Sequence, residues 1–266
     1  MEGRHGNAGT QALDLDYHGY LLTDQLLALQ HPKSEPIHAD EMHFIITHQA
    51  IELWFRLMVQ TVRRARDEVS AGRWIPAVTA VRQLTRFTGV VIAQTSTLAE
   101  MPPASFHAFR HFLGTSSGFQ SLQFRELEVL SGLRDEHYLA GLRRVNGGVV
   151  PPSVAEALAE PSLAGALEQA AARAGVVDWA NFYADEGGRS PLYLLCEALI
   201  DYDEAWFRWR SEHRILVERM LGGSIRGTAG TTPSYLERST HLRFFPYLWQ
   251  ARSELALMGG GMPTQF

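Results

Sequence analysis

The stretch from Ser190-Pro191 to Gly222-Gly223 constrains this chain more than any other, because it reads as one uninterrupted helix of roughly thirty residues. Ser is a good N-cap, Pro is tolerated at the first helical position, and a glycine pair marks the stop. At about 100° per residue, Leu195, Leu199, Tyr202, Trp206, Trp209, Val217 and Met220 share one face. His213 falls in the middle of that apolar stripe. Two readings of it stand side by side. It is a core imidazole bonded to a backbone carbonyl, or a neutral ring nitrogen ligating a large flat group such as an iron porphyrin beside the two tryptophans.

Helical periodicity recurs along the chain and no convincing strand interrupts it. Leu21 to Leu29 predicts a short helix stopped by His31-Pro32, and Ala39-Asp40 opens a long one reaching about Ala71, with Asp40 and Glu41 at its positive end. Helices follow over Ile75 to Ala99, Ser105 to Phe112 and Phe119 to Leu130. Ser153 to Ala174 reads as an Ala-rich helix or pair, and Ser234 to Thr240 and Pro246 to Leu257 complete the set. Short connections and the lack of an internal repeat predict a single all-α domain over residues 13–258, between tails at 1–12 and 259–266.

Charge and cysteine content exclude several functions. A net charge of -5 gives no basic face for nucleic acid. The single cysteine, Cys196, forms no intrachain disulfide and fits a reducing cytoplasm. With no apolar run of about 18 residues and no leader pattern, neither a membrane span nor a signal peptide is expected.

Further candidate residues lie on other helices. Phe44, His48, Ile51, Phe55 and Val62 form a narrow stripe, so His48 is a second inward-facing imidazole, with Glu52 one turn later. His43 lies about 140° around the helix from His48 and cannot join them in a metal site by itself. His107 and His111 have the i, i+4 spacing of a zinc-binding pair but lack a third ligand. Arg125 borders the apolar face of the Phe119 helix, where a salt bridge to Glu126, Glu128 or another helix and a grip on a substrate carboxylate are both open. The Gly222 to Thr232 loop is either a flexible connection or a wrap of backbone donors around a small polar group, and no strand or Gly-Lys-Ser/Thr makes it a phosphate loop.

Several strings then point together. They are Tyr17-His18-Gly19-Tyr20-Leu21, Leu29-Gln30-His31-Pro32, and Glu41-Met42-His43-Phe44-Ile45-Ile46-Thr47-His48-Gln49-Ala50-Ile51-Glu52-Leu53-Trp54. Ser116-Ser117-Gly118-Phe119-Gln120-Ser121-Leu122-Gln123-Phe124-Arg125-Glu126, Trp209-Arg210-Ser211-Glu212-His213, Val217-Glu218-Arg219, Gly227-Thr228-Ala229-Gly230-Thr231 and Phe245-Pro246-Tyr247-Leu248-Trp249 continue in order. Together they resemble the tryptophan 2,3-dioxygenases, from about residue 17 to 252.

The resemblance implies haem b, ferrous for turnover, O2 as co-substrate, and insertion of two oxygen atoms into the indole ring of L-tryptophan or a close derivative, giving an N-formylkynurenine. It makes His213 the iron ligand, with Trp209, Ser117 and Gly118 at the cofactor. It makes His48 the distal histidine that hydrogen-bonds the indole N–H, and Phe44 an aromatic packing on the indole. Arg125 matches the carboxylate-binding arginine and Thr228 the threonine at the polar head group. Tyr17 and Tyr20 match tyrosines that complete a neighbouring subunit's pocket, which implies a homotetramer. Departures occur at Tyr17-His18-Gly19-Tyr20, where the family usually has Tyr-Gly-Asp/Asn-Tyr, in a short Gly132–Ser190 region, and in an extra residue between Gly222 and Gly227. These keep monooxygenation of a substituted tryptophan as a second reading, and a haem sensor or carrier without turnover as a third.

Overall fold

The computed structural model describes residues 16–134, 136–186, 190–222 and 233–259. Among these every regular element is helical. The order is α1 (Tyr17–Leu21), α2 (Thr23–Leu27), α3 (Ala39–Ser70), α4 (Trp74–Thr97), α5 (Pro103–Phe109), α6 (Leu122–Ser131), α7 (Glu136–Val145), α8 (Pro152–Ala159), α9 (Leu163–Arg173), α10 (Trp179–Glu186), α11 (Pro191–Leu221), α12 (Pro233–Ser239) and α13 (Pro246–Gly259). Single 3-10 turns at Leu98–Glu100, Arg110–Leu113 and Gly118–Gln120 adjust the connections. No helix of the described residues is long and apolar enough to cross a membrane. The expected tails, 1–12 and most of 259–266, lie outside the described residues, as does the Gly223 to Thr232 loop with Thr228.

The two long helices start and stop where local chemistry dictates. Ser190 Oγ accepts the Tyr193 amide at 3.1 Å to open α11, and Gly222 closes it at φ +81° with its amide on the Glu218 carbonyl. His38 Nδ1 accepts the Asp40 amide at the start of α3, where Asp40 and Glu41 favour the positive end. Gly72, at φ +71°, ends α3 while the Arg73 amide reaches back to the Glu68 carbonyl at 2.9 Å.

The main core lies where α4 packs against both α3 and α11, and where α3 also meets α6 and α9. Phe55, Met58, Val59, Val62, Ala65 and Val69 of α3 are buried against Val78, Val81, Leu84 and Val91 of α4 and Leu195, Leu199, Tyr202 and Trp206 of α11. Burial of this kind stabilises by about 1.5–3 kcal/mol for each large apolar side chain. Gly132 ends α6 at φ +151°, and a Cβ there would stand 2.7 Å from both Ala164 Cβ and the Phe244 carbonyl oxygen. Asp203 of α11 accepts the Phe244 and Phe245 amides and Trp249 Nε1, which fastens the start of α13 to α11.

Several boundaries differ from the sequence reading. The short N-terminal helix is two helices broken at Leu22, which has φ +52°. The Ser153–Ala174 segment is a pair, α8 and α9, and α7 and α10 are helices that periodicity had not marked.

Candidate functional site

The apolar stripe of α11 leaves the core at Trp209. Upstream, Leu195, Leu199, Tyr202 and Trp206 are fully buried, whereas Trp209, His213 and Val217 border a cavity of about 640 Å³. That lies within the roughly 300–1,000 Å³ common for small-molecule sites. Phe44, His48, Ile51 and Phe55 of α3 line it as well, as do Phe106, Arg110, Ser117, Gly118, Phe119, Phe124 and Arg125. Thus two long helices bring the two inward-facing histidines to one cavity.

His48 has a defined tautomer. Its Nδ1 lies 2.7 Å from the Phe44 carbonyl oxygen, which can only accept, so the proton sits on Nδ1. Burial pushes its pKa below the usual imidazole value of 6.5, which keeps the ring neutral. Nε2 is then an acceptor. Glu52, one turn further along α3, is held by Gln123 Nε2 at 3.0 Å. Phe44 packs on the His48 ring at 4.1 Å between centroids and on Phe106 at 5.7 Å.

His213 lies parallel to the Trp209 indole, with centroids 5.3 Å apart and planes 8° from parallel. Burial, with the nearby His48 ring and the Arg125 cation, lowers its pKa to about 4. Its accessible surface is cavity wall, so partial exposure and strong desolvation are consistent. An aromatic series of Phe55, Phe124 and Trp209 joins α3 to this ring, with centroids 5.3 and 5.0 Å apart.

These residues fit haem. A neutral imidazole with neither ring nitrogen hydrogen-bonded among the described residues is a ready iron ligand, and the surrounding wall is largely apolar. Trp209 Nε1 is buried with no hydrogen-bond partner among the described residues, and an acceptor on a bound group would satisfy it. Ser117 and Gly118 sit on the same wall, where Ser117 caps the turn through Phe119.

Arg125 lines the cavity and is braced by its neighbours. Its guanidinium lies between Phe119 and Phe124, 4.7 and 4.3 Å from their centroids, and Nη1 pairs with Glu128 Oε2 at 2.7 Å. Glu128 Oε1 takes Arg210 Nη2 at 3.0 Å, and the Tyr138 hydroxyl donates to Oε2 at 2.8 Å. Two buried cations therefore share one carboxylate, and the trio carries net positive charge. Arg110 occupies the 3-10 turn one helical turn after Phe106 and also lines the cavity. Sequence reasoning passed over Arg110, having read its segment for His107 and His111, which are exposed. The available signal was Phe106 and Phe109 on one face with a cation at its edge.

The remaining candidates lie apart. Tyr17 and Tyr20 are 70% and 73% exposed on the N-terminal arm, away from the cavity of their own chain. His43 Nε2 bonds Thr97 Oγ1 at 2.9 Å.

Comparison with known proteins gives a consistent picture. A family model described as tryptophan 2,3-dioxygenase matches residues 2–174 and 165–255. The chain is 34% identical to tryptophan 2,3-dioxygenase of Cupriavidus necator over 286 residues, covering 96% of this chain and 92% of that protein. It is 36% identical to the Nocardioides sp. enzyme of the same name, covering 93% and 97% respectively. A protein of that name from Caulobacter vibrioides is also 36% identical, over 92% of this chain and its own full length.

Proposed function

The chain belongs to the tryptophan 2,3-dioxygenase family, and from that premise we propose that it inserts both atoms of O2 across the indole C2–C3 bond of L-tryptophan, giving N-formylkynurenine. The family uses haem and O2. The observation that carries the reading is one apolar cavity bordered by two neutral histidines of different hydrogen-bonding character.

His213 would hold the iron, with Trp209, Ser117 and Gly118 beside the cofactor. When bound, haem supplies the activation of O2. The protein supplies orientation. His48 Nε2 accepts the indole N–H, Phe44 packs on the indole, and the apolar wall of Ile51, Phe55 and Phe106 keeps water from the ring.

The amino-acid head group meets a cation on the cavity wall, and Arg125, which lines that wall with Nη1 braced by Glu128, takes the substrate carboxylate as the family resemblance has it. Thr228, outside the described residues, takes the role at the head group that the family resemblance gives it. Tyr17 and Tyr20 close the cavity of a second copy in a homotetramer, which accounts for the exposure of an apolar arm. The protein works in the cytoplasm.

Product mass and steady-state kinetics test this together. Reduced, haem-loaded protein supplied with L-tryptophan and O2 should give a product heavier by two oxygen atoms. A gain of one would establish the monooxygenase, and no product would favour a sensor or carrier. A charge-assisted hydrogen bond contributes about 1.5–3 kcal/mol, so Arg125→Ala should raise KM by about 10- to 150-fold while keeping the haem spectrum. An unchanged KM would refute the carboxylate role of Arg125.

A further inference from the structure

Gln49 follows His48 on α3, and both ends of its side-chain amide are in use. Nε2 donates to the Leu29 carbonyl at 3.0 Å, and Oε1 accepts from Gln30 Nε2 at 2.7 Å. Gln30 Nε2 also donates to the Leu26 carbonyl at 3.0 Å, in the last turn of α2. Two glutamines thereby bond carbonyls at and just past the C-terminal end of a five-residue helix.

A second fastening lies eight residues earlier on α3, about 12 Å along the helix axis. Glu41 is buried and accepts the Lys33 amide at 2.7 Å and the Ser34 amide at 2.9 Å. Ser34 Oγ in turn accepts the His38 amide at 2.8 Å. Residues 26–34 are thus stapled at two points to the helix that carries His48.

Beyond the staple, the arm does not bury its large side chains. Tyr17, Tyr20, Leu21 and Leu22 are all exposed, Tyr20 by 73%. Hydrogen bonds, rather than apolar packing, therefore set the direction in which the arm leaves the body.

We propose that Gln49 and Gln30 are positioning residues for substrate binding, holding the arm so that Tyr17 and Tyr20 arrive at the cavity of a second copy. The inference rests on the reading above that the arm completes a neighbour's pocket. With the direction fixed beforehand, less conformational freedom is lost when the tyrosines close over substrate. Without it the arm remains attached through Glu41 but searches a wider cone. The adjacency to His48 adds a consequence: the helix that orients the indole also aims the arm.

The test compares Gln49→Ala, Gln30→Ala, the double variant and Tyr17→Ala/Tyr20→Ala in haem-loaded enzyme, with kcat and KM for L-tryptophan, the haem spectrum and oligomer mass as readouts. Each glutamine variant should raise KM by about two- to tenfold, with kcat changed by less than about twofold. The double variant should fall short of the product of the two single effects, because the singles share the bond between the glutamines. The tyrosine variant should raise KM at least as far. Wild-type KM in both glutamine variants, beside a raised KM in the tyrosine variant, overturns the staple and leaves the neighbour reading standing. Wild-type KM in the tyrosine variant overturns both. Loss of the haem spectrum or of kcat in both glutamine variants would mark them as scaffold and overturn the positioning role.

Discussion

His48 can be tested from both sides of the bond it is proposed to make. Its Nδ1 proton is committed to the Phe44 carbonyl at 2.7 Å, so the free nitrogen offers one acceptor to the indole N–H. Removing one partner of a desolvated hydrogen bond costs about 1–3 kcal/mol, or about 5- to 150-fold in kcat/KM. His48→Ala should lose activity toward L-tryptophan within that range while retaining haem. L-tryptophan methylated on the indole nitrogen has no N–H to give, so wild-type enzyme should lose a comparable factor on it. The informative comparison is the alanine variant on the methylated substrate. With the acceptor gone and space opened for the methyl group, that pairing should carry little further loss, and the coupling between residue and substrate should reach at least about 1 kcal/mol. Strictly additive losses in the four combinations would refute the argument and leave His48 as a wall residue. The assay is formation of the formylkynurenine product at saturating O2, with haem content measured for each protein.

Two further outcomes are expected. His213→Ala should lose haem during purification, and a normal haem spectrum in that variant would refute the ligand assignment. Glu128→Ala leaves Arg125 and Arg210 buried without their shared anion, which should cost about 3–5 kcal/mol. At about 2–4 °C per kcal/mol for a protein near this size, the apoprotein should melt at least about 6 °C lower, and an unchanged melting temperature would show that the carboxylate is dispensable.

Helix α11 was legible in the sequence because its cap, its stop and its stripe agree. The residues placed on that stripe are the ones that form the core and then the cavity wall. The break at Leu22 was not legible, since a left-handed leucine has no compositional signal and is held by surrounding bonds. Helices α7 and α10 escaped because short helices owe their stability to tertiary packing more than to pattern. At the site, periodicity placed His48 and His213 inward but left a core histidine open. Their roles came from the resemblance, and the tautomer of His48 came from a carbonyl distance that no sequence pattern encodes. For Arg125 the i, i+3 partner Glu128 was visible, as was the choice between salt bridge and substrate grip. What decided the geometry was Arg210, 82 residues further on from Glu128 and bonded to the same carboxylate.

That shared carboxylate also constrains how the sequence can change over time. Glu128 answers to two arginines on different helices, so exchanging the carboxylate strands two buried cations, whereas exchanging one arginine leaves a matched pair. Loss of the carboxylate is tolerated only with compensating change at the arginines, and the first step of any such series passes through a less stable protein. Glu128 is therefore the member of the trio least free to vary. A descendant that altered its substrate would find it easier to change the apolar wall at Phe44 or Phe106 than the charge beside it.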